Sequence, residues 1–304
     1  MYDIVIIGGG PAGMTAALYA RRNGKSALVL EKGGFGGQIT YSPRVQNFPG
    51  TLSMSGNEFA DKMLEQIMAQ GADVEVTAAT EIRDEGKVKR VLTEDGTEYE
   101  TRAVILAAGV KHRMLGLPGE TELVGSGISF CAVCDGEYYR GQTVAVAGGG
   151  NSALQEATLL SDLCKQVVLV QDLDYFTGEK KLAEALLQRE NVRAVTGTVI
   201  DSINTTDGAI KSLSLRRKAT GETGRLDCDG LFVAIGLIPE NEAFKNVVAL
   251  NDYGYAASGE DCETGTPGVF VAGDCRAKQV RQITTAVADG AVAALAACRY
   301  IDGR

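Results

Sequence analysis

The 304-residue sequence is poor in histidine and in positive charge, and its start lacks a leader pattern. His112 is the only histidine, and nothing beside it forms a catalytic relay, so it is expected to be a surface or linker residue. The formal net charge of -9 argues against a general nucleic-acid binder, because such proteins hold phosphates with clustered Lys and Arg. The strand-like start "YDIVII" has no basic lead and is too short for a signal-peptide core or a membrane span. These absences predict a cytoplasmic protein without nucleic-acid or membrane partners.

The sequence also contains no low-complexity segment and is typical of a globular protein. Its 45% apolar residues can fill real cores, and its length is typical of two domains. Seven cysteines in a cytoplasmic chain are not expected to form structural disulfides. Any paired cysteine motif is therefore interpreted as redox or metal chemistry.

One structural plan occurs twice. Residues 3–31 and 143–170 each read as an apolar strand, a glycine-rich turn, a helix and a second strand, which is a βαβ unit. After each unit come a helical segment, an alternating hairpin and an apolar strand that ends in glycine, at Gly109 and at Gly236. The repeat predicts an α/β fold with two Rossmann-like nucleotide-binding domains.

The order of these segments favours a second domain inserted into the first over two domains in tandem. The predicted crossings are "VKHRMLGLPGE" and "GLIPEN", both of which contain the Pro and Gly typical of linkers. The first domain is then predicted to comprise residues 1–113 and 246–304, and the second residues 114–245.

The first glycine turn has the pattern of a dinucleotide site. Gly8, Gly10 and Gly13 form G-x-G-x-x-G between a strand and a helix, which permits a tight turn, a close approach to a pyrophosphate and close packing of the helix on the strand. Glu31 follows 18 residues beyond Gly13, at a strand end where a carboxylate can accept hydrogen bonds from ribose hydroxyls. With strand, helix and acid in place, a dinucleotide is favoured over a turn that serves packing alone.

The stretch "SFCAVCDG" suggests the chemistry that uses the dinucleotide. Cys131 and Cys134 have C-x-x-C spacing, in which a disulfide can close and open within one turn, and Asp135 can exchange a proton with a thiolate. The alternative is half of a zinc site, but zinc needs four ligands. The remaining cysteines form no second C-x-x-C and are interpreted as small core residues: Cys164, Cys228, Cys262, Cys275 and Cys298.

From end to end the chain resembles the low-molecular-weight, bacterial-type thioredoxin reductase family, whose fold is the class II pyridine nucleotide-disulfide oxidoreductase fold. The motifs "GGGPAG", "GGFGGQ", "CAVCDG" and "VFVAGDC…RQITTAVADG" occur in the family's order. The resemblance implies that the first domain binds FAD, that the second is an NAD(P)H-binding-like domain with the cysteine pair, and that the enzyme is a homodimer. It also implies these FAD-binding residues: Gly8, Gly10, Pro11, Ala12, Glu31, Lys32, Gly37, Gln38, Asn47, Ala108, Gly109, Asp274, Gln282 and Ile283.

The same resemblance assigns roles to the cysteine pair. It implies that Cys134 receives electrons from the flavin, that Cys131 attacks the disulfide of thioredoxin or a thioredoxin-like protein, and that Asp135 supplies or accepts the proton. Because a thiol buried against the flavin cannot also meet a protein partner, the second domain is expected to swing relative to the first. A helix beginning near Gln282 would direct its positive end at the flavin.

The second glycine turn is intact, but the residues that select NADPH are missing. Gly148, Gly150 and Ala153 form G-x-G-x-x-A. NADPH-using family members carry a His-Arg-Arg run and a further Arg after the next strand, which clamp the ribose phosphate. The corresponding positions here hold Gln171, Asp172, Leu173 and Thr177. NADPH is therefore disfavoured, and use of any nicotinamide is left open.

In this departure the sequence resembles the ferredoxin-dependent flavin thioredoxin reductases, so reduced ferredoxin is the favoured electron donor. Candidate docking residues for an acidic ferredoxin are Lys111 and Arg113, or Arg276, Lys278 and Arg281. Alternatives are an NADH- or NADPH-dependent thioredoxin reductase, with Asp172 on the ribose diol if NADH binds, and a flavin dithiol oxidase. A non-enzymatic redox-sensing module is the alternative from another class.

Overall fold

A computed structural model describes residues 1–303, which form two compact units. The first unit comprises residues 1–40, 48–111 and the chain from 238 onward, and the second comprises 41–47 and 112–237. The divisions at 111/112 and 237/238 lie within the two predicted crossings, and each precedes the corresponding predicted boundary, 113/114 or 245/246. The residues after 237 belong to the first unit because Phe244 is buried in the same apolar cluster as strand residues near the N-terminus.

Among the described residues, an α-helix follows the first strand of each parallel βαβ unit, and the other strands largely follow one another directly. They are β1 (Tyr2–Ile7), β2 (Ala27–Glu31), β3 (Asp73–Val76), β4 (Ala79–Glu85), β5 (Val88–Thr93), β6 (Glu98–Leu106), β7 (Val110–His112), β8 (Ile128–Ser129), β9 (Thr143–Ala147), β10 (Gln166–Val170), β11 (Val192–Val195), β12 (Thr198–Thr206), β13 (Ala209–Arg217), β14 (Thr223–Asp227), β15 (Gly230–Val233), β16 (Leu237–Pro239) and β17 (Val269–Val271).

Among the α-helices, two follow a glycine and one follows Ser55, whose side chain caps it. They are α1 (Pro11–Arg22), α2 (Gly56–Ala69), α3 (Ala132–Asp135), α4 (Asn151–Leu163), α5 (Lys180–Leu187) and α6 (Ile283–Asp302). Pro11 stands at the first turn of α1, where its missing N–H is not needed. None of the helices in residues 1–303 is long and apolar enough to cross a membrane.

The first unit is built on a sheet with strand order β3-β2-β1-β6-β5-β4, and β17 pairs with β6. β1 runs parallel to β2 and β6, and Ile7 pairs with both Leu30 and Leu106. The carboxyl ends of these three strands therefore lie at one edge of the sheet, where α/β folds bind their ligands. β1 is almost continuously apolar because parallel strands are covered on both faces.

The second unit repeats this plan. Its parallel sheet has the order β11-β10-β9-β15-β8, and Ala147 at the end of β9 pairs with both Val170 and Val233. A separate antiparallel sheet, β12-β13-β14, follows, and β7 pairs with β16. The prediction of an α/β fold with two Rossmann-like modules, the second inserted into the first, is confirmed.

Candidate active site

The glycine turn after β1 is so tightly packed that side chains are excluded at two positions. Gly8 has a φ of +111°, and a Cβ there would lie 2.2 Å from the oxygen of Ala107. A Cβ at Gly13 would lie 1.8 Å from the oxygen of Gly8. Gly10 precedes α1 and is less crowded, since a Cβ there would meet only the oxygen of Gly36, at 3.9 Å. The first amides of α1, in Pro11–Arg22, therefore border a surface that a pyrophosphate can approach.

Glu31 ends β2 beside this turn. Its Oε2 accepts the N–H of Gly9 at 2.7 Å, and its Oε1 accepts the N–H of Gly33 at 2.9 Å. A carboxylate has about four acceptor positions, so two remain for ribose hydroxyls. The neighbouring Lys32 forms an ion pair with Glu240.

The predicted FAD-binding segment with Gly37 and Gln38 lies against the glycine turn that follows β1. Gly37 begins a 3-10 helix, Gly37–Tyr41, that contains Gln38, and its φ is +59°. A Cβ on Gly37 would lie 3.5 Å from the Cα of Gly10. Asn47 is placed differently, because the short segment 41–47 groups with the second unit rather than with the glycine turn.

Two further segments reach the same edge of the sheet. Ala108 and Gly109 follow β6, and the N of Ala108 lies 3.2 Å from the position that a Cβ on Gly8 would take. Gly273 has a φ of +78°, and a Cβ there would lie 2.8 Å from the Cβ of Ala12, at the start of α1. The loop that carries Asp274 is thereby packed against α1.

Asp274 offers an acceptor without a partner. Its Oδ1 is buried and makes no hydrogen bond within the described chain, and burial raises the pKa of its carboxyl. Such an orphaned oxygen fits a hydroxyl donor such as a ribityl group. Gln282 is the N-cap of α6 in a capping box with Thr285, and Ile283 is the first residue of that helix. The residues present at this edge therefore fit FAD.

The cysteine pair lies in the second unit, directly after β8. Cys131 and Cys134 are joined by a disulfide, with their Cα atoms 5.2 Å apart. Cys131 is the N-cap of α3, and its sulfur accepts the N–H of Cys134 at 3.2 Å. Val133, between them, is 59% exposed, so a protein partner can reach this turn.

Asp135 is held next to the pair by a residue that sequence reasoning missed. The hydroxyl of Ser129 donates to Asp135 Oδ2 at 2.6 Å and accepts the N–H of Cys131 at 3.1 Å. Asp135 Oδ1 is buried without a hydrogen-bond partner, and burial raises the pKa of the carboxyl. A carboxyl with a raised pKa can hold a proton close to the sulfurs. The signal for Ser129 was its position two residues before Cys131.

Glu156 is a second carboxyl beside the cysteines that the sequence did not reveal. It lies on α4, and its Oε2 accepts the N–H of Ala132, the residue after Cys131. Burial raises its pKa to about 7, and the charge of Asp135 adds to the shift. No local motif could have found it, because it is 22 residues from Cys134 along the chain.

The other cysteines are buried and their thiols are held protonated. Burial raises the pKa of Cys164 and Cys262 to about 11 and that of Cys228 and Cys275 to about 12. Because their pKa values are raised, these thiols are poor nucleophiles at neutral pH. Among residues 1–303, no group of three or more His, Cys, Asp or Glu side chains is arranged to hold a metal ion.

His112 was expected to be a surface or linker residue, but its side chain is largely enclosed. Its ring stacks on that of Phe130 at 4.2 Å between centroids. Burial lowers its pKa to about 4, so the imidazole is neutral at physiological pH.

The second glycine turn matches the first in backbone and differs at the strand end. Gly148 has a φ of +129°, and a Cβ there would lie 2.4 Å from the oxygen of Ala234. Gln171 follows β10 as Glu31 ends β2, but it is buried, and its amide donates to the oxygen of Tyr175. A Cβ on Gly149 would lie 2.5 Å from the Gln171 side chain. An amide therefore covers the position where a carboxylate would take the ribose.

The residues that follow Gln171 carry negative charge. Asp172 forms an exposed ion pair with Lys218 at 3.3 Å. Asp174 Oδ1 lies 2.3 Å from the position that a Cβ on Gly197 would take. Thr177 donates its N–H to the oxygen of Gly149 at 2.9 Å. This segment presents no arginine to a ribose phosphate.

Part of the basic set considered for ferredoxin docking is unsuitable. Arg276 and Lys278 are paired with Asp289, at 2.9 and 2.8 Å, and their side chains are 4% and 8% exposed. Lys111 pairs with Glu240, and the Arg281 guanidinium lies over the Tyr255 ring. Arg276 and Lys278 therefore do not suit the docking role considered for them, because both form ion pairs inside the first unit.

Comparisons with known proteins agree with this geometry. A family model described as pyridine nucleotide-disulphide oxidoreductase matches residues 2–290. The thioredoxin reductase of Bacillus subtilis (strain 168) is 38% identical over 302 residues, which is 99% of this chain and 95% of that protein. A Clostridium pasteurianum protein described as the 34.2 kDa protein in rubredoxin operon is 39% identical over 302 residues, 99% of this chain and 98% of that one. The solved thioredoxin reductase of Streptococcus pyogenes has a TM-score of 0.94 at 37% identity, covering 100% of this chain and 99% of that chain.

Proposed function

The chain belongs to the low-molecular-weight, bacterial-type thioredoxin reductase family, and from that premise we propose that it is an FAD-dependent thiol-disulfide oxidoreductase that reduces thioredoxin or a thioredoxin-like protein. FAD is the cofactor expected of this family. The observation that carries the proposal is the cysteine pair with Asp135 beside it. The carboxyl has one oxygen on Ser129 and one without a partner, which suits it to hold a proton for the sulfurs.

The residues of the pair divide the exchange between them. FAD, when bound, supplies the two electrons that open the Cys131–Cys134 bond. Cys131 as thiolate then attacks the partner's disulfide, which breaks that bond and forms a mixed disulfide. Cys134 attacks Cys131, reforms the internal disulfide and releases the partner as a dithiol. Asp135 holds a proton for the departing thiolate.

Reduced ferredoxin is the proposed electron donor. The support is the strand end of the second module, where Gln171 is bonded to Tyr175 and the following positions are acidic. Phosphate recognition needs clustered positive charge, and Asp172 would repel a ribose phosphate. The Clostridium pasteurianum relative, described as the 34.2 kDa protein in rubredoxin operon, is compatible with a small redox protein as donor.

A second candidate is an NADPH-dependent thioredoxin reductase. The intact backbone of the second turn favours it, since Gly148 is packed against Ala234 as Gly8 is against Ala107. Membership of the family favours it as well. The two candidates share the flavin, the cysteine pair and the protein substrate, and they differ only in the source of electrons.

An anaerobic mixing experiment distinguishes the donors. FAD-loaded protein is mixed separately with NADPH, NADH and reduced ferredoxin, and the loss of visible flavin absorbance is followed. We expect fast bleaching by ferredoxin alone, and subsequent thioredoxin reduction that fails in Cys134→Ser. Fast bleaching by NADPH would refute the donor assignment. A colourless protein that cannot be reconstituted with FAD would refute the flavoenzyme.

Adding arginines after β10 tests the proposal that the residues from Gln171 to Asp174 disfavour NADPH. Introducing Asp172→Arg together with Leu173→Arg should raise the rate of bleaching by low NADPH concentrations by about tenfold or more, because a charge-assisted pair with phosphate becomes possible. The control is Asp227→Arg, which makes the same charge reversal as Asp172→Arg alone, at a side chain that is 77% exposed. An equal gain in both variants would show a general charge effect.

A homodimer completes the proposal. The family resemblance supports it, and light scattering coupled to gel filtration measures it directly. We expect twice the mass of one chain.

A further inference from the structure

Glu156 lies where it can influence the cysteine pair, although it stands outside the segment "CAVCDG" that contains the pair. It projects from α4, and its carboxylate accepts the N–H of Ala132, between the two cysteines. The contact is fixed by packing, because Ala132 is buried in one apolar cluster with Ala153 and Leu160 of α4. Glu156 therefore holds the first residue of α3 in place.

The surroundings of Glu156 contain little positive charge. Asp135 is the charged group that most affects it, and Tyr139 of the adjoining 3-10 turn is also close to Asp135. Arg140 at the end of that turn is paired with Glu137. The strands beneath α4, β9 and β10, contribute no charged side chain, as their sequences TVAVA and QVVLV show.

The other charges near α4 are engaged at its ends. Arg189, beyond α5, pairs with Asp162 in the last turn of α4. Lys180 of α5 faces Glu184 on its own helix and is 89% exposed. Two carboxyls, Glu156 and Asp135, thus flank the cysteine turn without a neutralising cation in their immediate contacts.

We propose that Glu156 is a positioning residue that sets both the place of the Cys131–Cys134 turn and the acidity of its thiols. The inference rests on the proposed redox role of the pair. Reduction breaks the sulfur–sulfur bond and adds two electrons and two protons, and Cys131 must then lose its proton to attack the partner. An ionised Glu156 opposes the new thiolate charge, whereas a neutral Glu156 does not.

This coupling links thiolate formation to the charge of Glu156. Burial raises its pKa to about 7, so its charge changes within the physiological range. As the pH rises through about 7, the thiols therefore become harder to ionise than they are beside a neutral group.

Alkylation of the reduced pair tests the proposal without any electron donor. The FAD-loaded protein is reduced with a chemical dithiol, the dithiol is removed, and the rate of iodoacetamide modification of Cys131 is followed by mass spectrometry across pH. Glu156→Gln is the informative variant, because its amide oxygen still accepts the Ala132 N–H but cannot ionise. The matched control is Asp162→Asn on the same helix.

We expect the rate ratio of Glu156→Gln over wild type to be close to one well below pH 7, where Glu156 is neutral, and to rise to roughly tenfold well above it, which corresponds to a thiol pKa lowered by about one unit. The wild-type inflection near 7 should vanish in this variant and persist in Asp162→Asn. Superimposable wild-type and Glu156→Gln curves, with unchanged circular dichroism, would overturn the proposal. If the wild-type protein shows the expected alkylation curve but is not bleached by reduced ferredoxin, that result would instead count against the proposed function.

Discussion

Glu156→Gln should stabilise the folded protein in a pH-dependent way. The carboxyl has its pKa raised from 4.5 to about 7, so folding favours its neutral form. Its contribution to stability is therefore fully present below the unfolded pKa and is lost as the pH rises through about 7. Glutamine keeps the acceptor for the Ala132 N–H and has no charge to desolvate.

The rise from 4.5 to about 7 corresponds to about 3 kcal/mol, and partial exposure of the side chain reduces the expected gain to about 2 kcal/mol. The assay is urea unfolding at about pH 5 and about pH 8, in excess FAD, of wild type, Glu156→Gln and Asp162→Asn. The variant should gain stability over wild type at the higher pH and little at the lower one. An identical difference at both pH values would refute the reasoning, since the effect would not depend on ionisation.

Three further predictions concern the proton, the flavin and the glycine turn. Asp135→Asn should keep the disulfide but slow thioredoxin reduction by about 100-fold in steady-state assays, and wild-type activity should fall as pH rises through the raised pKa of Asp135. Asp274→Ala should weaken FAD binding by about tenfold or more, measured by release of fluorescent FAD, because the orphaned acceptor is lost. Gly13→Ala should lower the melting temperature and abolish FAD retention, because its Cβ would lie 1.8 Å from the oxygen of Gly8. Gly34→Ala, where nothing lies within 4 Å of an added Cβ, is the matched control and should do neither.

Much of the fold could be read from local pattern. The apolar strand before Gly8 and the start of a helix after Gly10 were visible because parallel strands are apolar and turns need glycine. The repeat of this plan around Gly148 predicted the second module. The division at 237/238 lies within the predicted crossing "GLIPEN", but its exact position was not visible, since it depends on which core Phe244 enters.

Some residues of the candidate site could likewise be predicted from the sequence, and others could not. The sequence by itself determined the residues that act through short spacing: the cysteine pair, Asp135 beside it and the acid Glu31 at a strand end. Only the tertiary structure decided that Arg276 is buried on Asp289 and that Glu156 meets Ala132. The physical reason is distance along the chain, because a motif records neighbours within a turn, whereas the contacts that desolvate and pair charges form when separate helices pack together.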